Sequence, residues 1–314
     1  MSNFLSKMNI RPASHSGSWY ENNTTTLTIQ LNDWITNSNN NNNNNNENNK
    51  KRLKAIISPH AGYRYSGSTA AYGYGKINPN IISRVFILGP SHHVYVEKMN
   101  ITGANILETP VGNLNVDTTI RTSLLSTGLF EVTHPDVDCE EHSLEMQFPF
   151  IAHAMNQKNS NDGHFTVIPL MTGRLNSSTV LQYAQILLPY FLDPETLFVI
   201  SSDFCHWGKR FRYTPYDPAK GDIDQYIKWL DHEAIRFIES NNLAEFTSYI
   251  QSTKNTICGQ DSIKILLQLI QLSAAHSLSF DTKCLMYSQS SAAKEISDSS
   301  VSYVSLSVEE NSNE

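Results

Sequence analysis

VFILGPSHHV, residues 85–94, decides how the rest of the chain is read. Consecutive side chains on a strand point to opposite faces, so four apolar residues in a row, Val85 to Leu88, require both faces to be covered. Gly89-Pro90 then stops the run and releases two adjacent histidines, His92 and His93. Neighbours diverge. If His92 turns into a crevice beyond the strand, His93 turns away from it.

Working outward, further short apolar runs read as buried strands at residues 53–57, 165–170, 197–200 and 301–308. Helix-period stretches lie between them at 68–77, 118–125, 178–191, 222–239 and 258–272. Strands alternating with helices predict a mostly parallel or mixed central sheet flanked by helices on both faces, a three-layer αβα architecture. With 314 residues, 39% of them hydrophobic, the chain is long enough for one large domain, and we read residues 1–314 as a single one. An Asn-rich tract at residues 37–51 is too polar to offset its ordering entropy and reads as a disordered insertion behind a helix at 24–34. The acidic tail after Val308 reads as flexible.

Composition narrows the function. A net charge of −7 with no Lys/Arg stripe argues against nucleic acid and anionic membrane surfaces as partners. Four scattered cysteines, Cys139, Cys205, Cys258 and Cys284, fit a reduced compartment better than a disulfide framework. The start of the chain carries no apolar signal segment, and no run approaches the roughly 18 apolar residues of a membrane span. We therefore expect a cytoplasmic protein without membrane insertion, for which nuclear entry stays open. GxGxxG and GxxxxGK[ST] are both missing, which removes the best support for a nucleotide site.

The chemistry falls just after the strands. KAIIS is followed by Pro59-His60, VFILG by Pro90-Ser91-His92, and TLFVIS by Ser202-Asp203-Phe204-Cys205-His206. In a parallel sheet those ends share one edge, and ligands bind beyond it. Cys258, in NTICGQ, sits at or before the first turn of a helix that Asn255 or Thr256 can cap, where N–H groups favour a thiolate. A thiolate with two imidazoles suits iron, copper or zinc. Cys205 reads as a core residue. In DCEEHSLEMQF, Glu141 and Glu145 share a helical face with Ser143 as a cap, and the group serves either as capping or as support for the crevice. His15, His134, His153, His164, His232 and His276 read as ordinary structural histidines.

At these motifs the sequence resembles the Memo family. The resemblance rests on ASHSGSWY (13–20), SPHAGYRYSGSTAAYGY (58–74), VFILGPSHHV, EEHSLEMQFPF (140–150), LFVISSDFCHWGKRFRY (197–213), NTICG (255–259) and DSSVSYVSLSV (298–308), in the family's order. Ser16 departs from the family's frequent Ala. The resemblance implies a fold like that of the class III extradiol dioxygenases. It also implies a role in receptor-driven cell motility, binding of phosphotyrosine-containing receptor or adaptor peptides and cytoskeletal signalling proteins, and an iron (Fe2+) or copper cofactor, with zinc also suitable. Carried over position by position, His60, His92 and Cys258 are the metal-site residues. His206 stands in the place of the dioxygenases' catalytic histidine, a candidate acid/base. Asp203, Glu141, His142, Trp19 and Tyr63 line or support the pocket. Where the dioxygenases have a carboxylate as third ligand, this chain has Cys258, which weakens the case for catechol ring cleavage. Three readings follow: a metal-linked redox signalling protein, a dioxygenase-like oxidoreductase, and a metal-free phosphopeptide adaptor using the same pocket.

Overall fold

The computed structural model describes residues 9–42, 51–156 and 165–311. In chain order the elements begin with β1 (Ile10–Arg11), α1 (Thr24–Asn42), β2 (Arg52–Ser58), α2 (Tyr63–Tyr74), β3 (Arg84–Pro90), β4 (Met99–Ile101), β5 (Ile106–Leu107), β6 (Leu114–Asn115), α3 (Thr118–Ser126) and β7 (Phe130–Val132). Then come α4 (Pro135–Glu140), α5 (His142–Glu145), α6 (Phe148–Met155), β8 (Thr166–Thr172), α7 (Ser177–Leu192), β9 (Thr196–Ser201) and β10 (His206–Gly208). The last are α8 (Ile223–Glu239), α9 (Leu243–Thr253), α10 (Gln260–Ser273), β11 (Phe280–Gln289) and β12 (Ser299–Glu310).

Four parallel strands in the order β2-β9-β3-β8 form the middle of the sheet. The long β12 adds antiparallel to β2 and carries β11 and β10. On the other flank β4 runs antiparallel to β8 and parallel to β7, completing nine strands. A small second sheet, β1-β5-β6, pins the N-terminal segment.

The apolar runs explain the layering. Ile56, Val85, Ile87, Val167, Leu197 and Val199 pack with residues of α1, α2 and α6. Their alternating neighbours Ala55, Ile57, Phe86, Leu88, Ile168, Leu170, Phe198 and Ile200 pack with α7, α8, α9 and α10. Every one of these strand side chains is fully buried, each large one contributing about 1.5–3 kcal/mol. The helices match. In α8, Ile223, Tyr226, Ile227, Leu230, Ala234, Ile235 and Ile238 recur at helical spacing and form its buried face. The α7 start is fixed by a reciprocal Asn176/Thr179 capping box. The architecture is the expected three-layer αβα sandwich around a mixed sheet. No helix among the described residues is long and apolar enough to cross a membrane.

Two expectations need correction. The Asn-rich tract does not begin outside the fold: α1 continues to Asn42. Ser38 is buried, donating to the Ile35 carbonyl at 2.8 Å and facing the Ala71 carbonyl of α2 at 3.3 Å. Packing against α2 outweighs the weak helix propensity of Asn there. Residues 43–50 lie outside the described residues. The tail also starts later. Glu309 and Glu310 pair with Leu53 and Arg52 across the sheet, and Lys76 binds Glu309 at 2.6 Å. Neither α9 nor β11 was expected. The half-exposed β11 lacks clean alternation and owes its place to its pairing with β12.

α1 and α2 meet at a glycine. A Cβ on Gly67 would come within 2.3 Å of the Trp34 ring. Gly67→Ala should therefore destabilise the protein by about 1–3 kcal/mol, and Trp34→Leu in the same chain should recover part of the loss. Urea unfolding measures both. An unchanged midpoint in Gly67→Ala would show that α1 can withdraw freely.

Candidate metal centre

β2, β9 and β3 end level with one another. Ser58 pairs with Ser201, and Ile200 pairs with both Ile57 and Leu88. Just beyond that line stand His60, Asp203 and His92, and Cys258 reaches the same edge from the loop before α10. Cys258 Sγ lies 3.1 Å from His60 Nε2, and the donor atoms of His60, His92 and Cys258 all lie within 4.8 Å of one another. A tetrahedral ion with bonds of about 2.3 Å to sulfur and about 2.0–2.1 Å to nitrogen spans about 3.5 Å between donors. The three fit with small adjustments. His93 is exposed and is not part of this group.

Both imidazoles are held in the tautomer a metal needs. The Ser201 hydroxyl donates to the Ser143 carbonyl (2.6 Å), so its oxygen accepts from Gln147 Nε2 (2.9 Å) and from His60 Nδ1 (2.8 Å). His60 Nε2 is left as the lone-pair atom beside sulfur. His92 Nδ1 donates to Glu141 (2.9 Å), whose carboxylate also accepts the backbone N–H groups of His92 (2.6 Å) and Ser143 (2.9 Å). Support of this kind sets ring orientation and ligand basicity. Glu141 thus caps α5 and orients His92 at once, so the two roles left open for the acidic motif coincide. Ser143 caps nothing and donates instead to the Pro90 carbonyl. A second possible donor group, His92-Glu141-His142, uses atoms from this same support. A ring nitrogen that donates to Glu141 cannot ligate as well.

Cys258 is placed by a seam between two loops. Its N–H donates to the Asp203 carbonyl (3.3 Å), its Sγ accepts from the Asp203 N–H (3.3 Å), and the Gly259 N–H donates to Ser202 Oγ (2.9 Å). The seam needs a residue without a side chain: a Cβ on Gly259 would lie 2.5 Å from the Ser201 carbonyl oxygen. Gly259 is itself the residue that precedes α10, so neither Asn255 nor Thr256 caps that helix. Thr256 instead accepts the His206 N–H at 2.7 Å and donates to the His206 carbonyl at 3.1 Å.

The surrounding groups are tuned by burial. Burial, with His92, His142 and His206 nearby, holds His60 well below the usual histidine range. His142 is pushed down to about 3, first by burial and then by His92. Burial also opposes a charge on His92, but the Cys258 sulfur and the Glu141 carboxylate outweigh it and push the imidazole up to about 10. Asp203 is raised to about 7 by burial, although it accepts the His60 N–H at 2.8 Å. His206 is lowered by burial; its Nδ1 donates to the Phe204 and Thr256 carbonyls, which leaves Nε2 as the proton acceptor.

Of the remaining expected residues, Trp19 lies against His142 with ring centroids 4.4 Å apart, and His142 stacks on His92 at 4.5 Å. Tyr63 is buried, its hydroxyl donating to the Met146 carbonyl. Cys205 lies in the core. His15, read as ordinary, joins this wall: its ring sits 5.7 Å from Trp19 and binds Glu145. His164 lies outside the described residues. Sequence reasoning missed Ser201, whose polarity at a strand end was the one available signal, as well as Gln147, Arg11 and the bonds of Thr256 to His206.

Glu145 anchors the N-terminal segment that carries Trp19. Its carboxylate accepts from Arg11 (2.6 Å), from both the backbone and the ring of His15 (2.8 and 2.9 Å), and from Tyr20 (2.8 Å). Burial opposes its ionisation, yet His15 and Arg11 hold it down to about 2. A carboxylate with a folded pKa below its unfolded value of about 4.5 stabilises the fold fully above that value and loses the contribution as pH falls toward 2. Glu145→Gln should therefore flatten the acid limb of stability between pH 4.5 and 2. Near neutral pH it should cost about 3–5 kcal/mol, because Arg11 stays buried with less charge to face. Denaturant titrations across that range test it; parallel wild-type and variant curves would remove Glu145 from this role.

Comparison with known proteins follows the same residues. A sequence profile described as "Memo-like protein" matches residues 11–307. "Protein MEMO1" of Danio rerio is 39% identical over 297 residues, covering 95% of this chain and 96% of that protein. "Protein MEMO1" of Homo sapiens is 40% identical over 293 residues, covering 93% and 95%. "Protein memo-1 homolog" of Caenorhabditis elegans is 41% identical over 299 residues, covering 94% of this chain and 81% of its own length.

Proposed function

The chain belongs to the Memo-like protein family, and from that footing we propose that it binds a single metal ion through His60, His92 and Cys258. One observation carries the reading: two imidazoles whose Nδ1 atoms are committed to Ser201 and Glu141 present their other nitrogens toward one sulfur. A bound iron or copper would supply redox chemistry there, and zinc a Lewis acid. The thiolate donor favours copper, zinc or a redox-sensing iron over the two-His-one-carboxylate chemistry of ring cleavage, and it adds a group that peroxide can oxidise. The cellular role we attach, redox-linked signalling in motility and cytoskeletal control, rests on family resemblance. So does a cytoplasmic location.

The residues around the donors have separable tasks. Ser201 and Gln147 fix the His60 ring, Glu141 fixes the His92 ring, and the Asp203 backbone holds the sulfur. His60→Ala, His92→Ala and Cys258→Ser should each weaken metal binding at least about tenfold, and Glu141→Gln by about 10–100-fold. His93→Ala should bind as the wild type does. Competition titrations with cobalt and zinc give the affinities. Metal retained in His92→Ala but lost in His93→Ala would reverse the assignment. A wild-type protein that takes up no metal yet binds phosphotyrosine peptide in this pocket would replace the reading with the adaptor one.

A second reading has its own support. His206 offers an acceptor Nε2 on a half-buried ring, and Asp203, raised to about 7, stands in the same loop. The pair is suited to moving protons near neutral pH. On this reading the protein is a dioxygenase-like oxidoreductase. We expect little or no catechol ring opening by iron-loaded wild type, measured by oxygen uptake and ring-opened product. Strong turnover abolished by His206→Ala would establish the oxidoreductase instead.

A further inference from the structure

We propose that Asp231 is a positioning residue that fixes the spacing between the two loops of the candidate site, and through it the placement of His206 relative to Cys258. The inference rests on the reading that those two residues share a working pocket. Asp231 lies on the buried face of α8, fully shielded from solvent, and touches none of the proposed ligands. Its Oδ1 accepts the backbone N–H of Cys205 at 3.2 Å, one residue before His206. The same oxygen accepts Asn255 Nδ2 at 3.1 Å, three residues before Cys258. One carboxylate oxygen therefore grips both loops.

The consequence is visible at His206. Its Nδ1 is shared by the carbonyl of Phe204, from the first loop, and that of Thr256, from the second. Any change in the separation of the loops must change that pair of hydrogen bonds. It must also disturb the seam in which the Asp203 N–H reaches Cys258 Sγ.

A mere space-filler would look different. Asp231 is held by hydrogen-bond donors alone: Cys205, Asn255, the Ser302 side chain and, on Oδ2, the Tyr287 hydroxyl at 3.1 Å. A buried carboxylate faced by neutral donors costs more than an apolar side chain of similar size, unless its acceptors are needed where they are. Only an acceptor-rich group can serve a backbone N–H, an amide and a hydroxyl together. The arrangement even leaves Asn255 half satisfied. Asn255 Nδ2 serves Asp231 and Tyr249, while its Oδ1 is buried without a donor among the described residues.

The test compares wild type, Asp231→Asn and the exchanged pair Asp231→Asn/Asn255→Asp, which restores one donor and one acceptor across the gap. In metal-free protein the His206 Nδ1–H resonance should be protected in wild type and broadened by water exchange in Asp231→Asn. Alkylation of Cys258 by iodoacetamide should become at least threefold faster. The exchanged pair should recover part of both. Cobalt affinity should fall at least tenfold in Asp231→Asn, with an altered thiolate charge-transfer band. If Asp231→Asn fails to fold, Tyr287→Phe is measured instead; it removes one donor from Oδ2 and should shift the same resonance in the same direction. A destabilised Asp231→Asn, or a folded Tyr287→Phe, with unchanged resonance and unchanged alkylation would overturn the proposal. Failure of wild type to bind cobalt would defeat the metal reading alone, because the resonance and the alkylation rate are read without metal.

Discussion

The structure depends on one constraint: β2, β9 and β3 are covered on both faces. Ala55 to Ile57, Val85 to Leu88 and Leu197 to Ile200 leave no face to solvent, so within those runs there is nowhere to place a charge. Polar chemistry is displaced to where the ladders end. Because the strands are parallel and in register, they end together, and Ser58 and Ser201 are paired polar residues at that line. The histidines that follow are brought close by register, with their last few ångströms set by hydrogen bonds.

For His92, and for the N-terminal segment behind it, those hydrogen bonds come from carboxylates that burial would otherwise expel. Glu141 and Glu145 are both shielded, and each stays ionised by collecting N–H donors and cations. Their division of labour follows from backbone geometry. Helical spacing would put the two on one face, but α5 is a single turn and Glu141 precedes it in extended conformation. Glu141 therefore turns to the end of β3 and His92, while Glu145 turns to Arg11, His15 and Tyr20. One short helix joins the end of β3 to the N-terminal segment carrying Trp19. Arg11, nearly inaccessible to solvent, also binds Asp138. Loss of one carboxylate in this network would loosen a wall of the pocket without touching a ligand.

What the sequence discloses follows the same division. Strands with unbroken apolar runs and helices with helical spacing are legible because burial writes a period into them, and every such segment has its counterpart in the fold. β11 and the extension of α1 to Asn42 are not legible, since tertiary contacts place them against weak local preference. α9 is a legible helix that sequence reasoning missed: it carries an Asn242 cap and Phe246, Tyr249 and Ile250 at helical spacing. In the site, His60, His92, Asp203 and Cys258 follow from strand ends and motif. Ser201, Gln147 and Asp231 do not. Their roles come from hydrogen bonds across 24 to 141 positions of sequence, and a serine ending a strand or an aspartate within a helix carries no mark of its distant partner.

Three imidazoles at the pocket differ in their leaning toward charge. His60 and His142 are held neutral by burial, so they add no repulsion. His92 alone is pushed toward the charged form, by the sulfur on one side and Glu141 on the other. That charge would sit between Cys258 and Glu141. An ion that entered would take over that position, and His92 would give up a proton and keep its bond to Glu141. On the proposed reading, ion binding would thus exchange a metal for a proton. A carboxylate in place of Cys258 could carry the same charge, but it would prefer harder ions. The softness of sulfur, more than the geometry, would set a metal centre here apart from a two-His-one-carboxylate site.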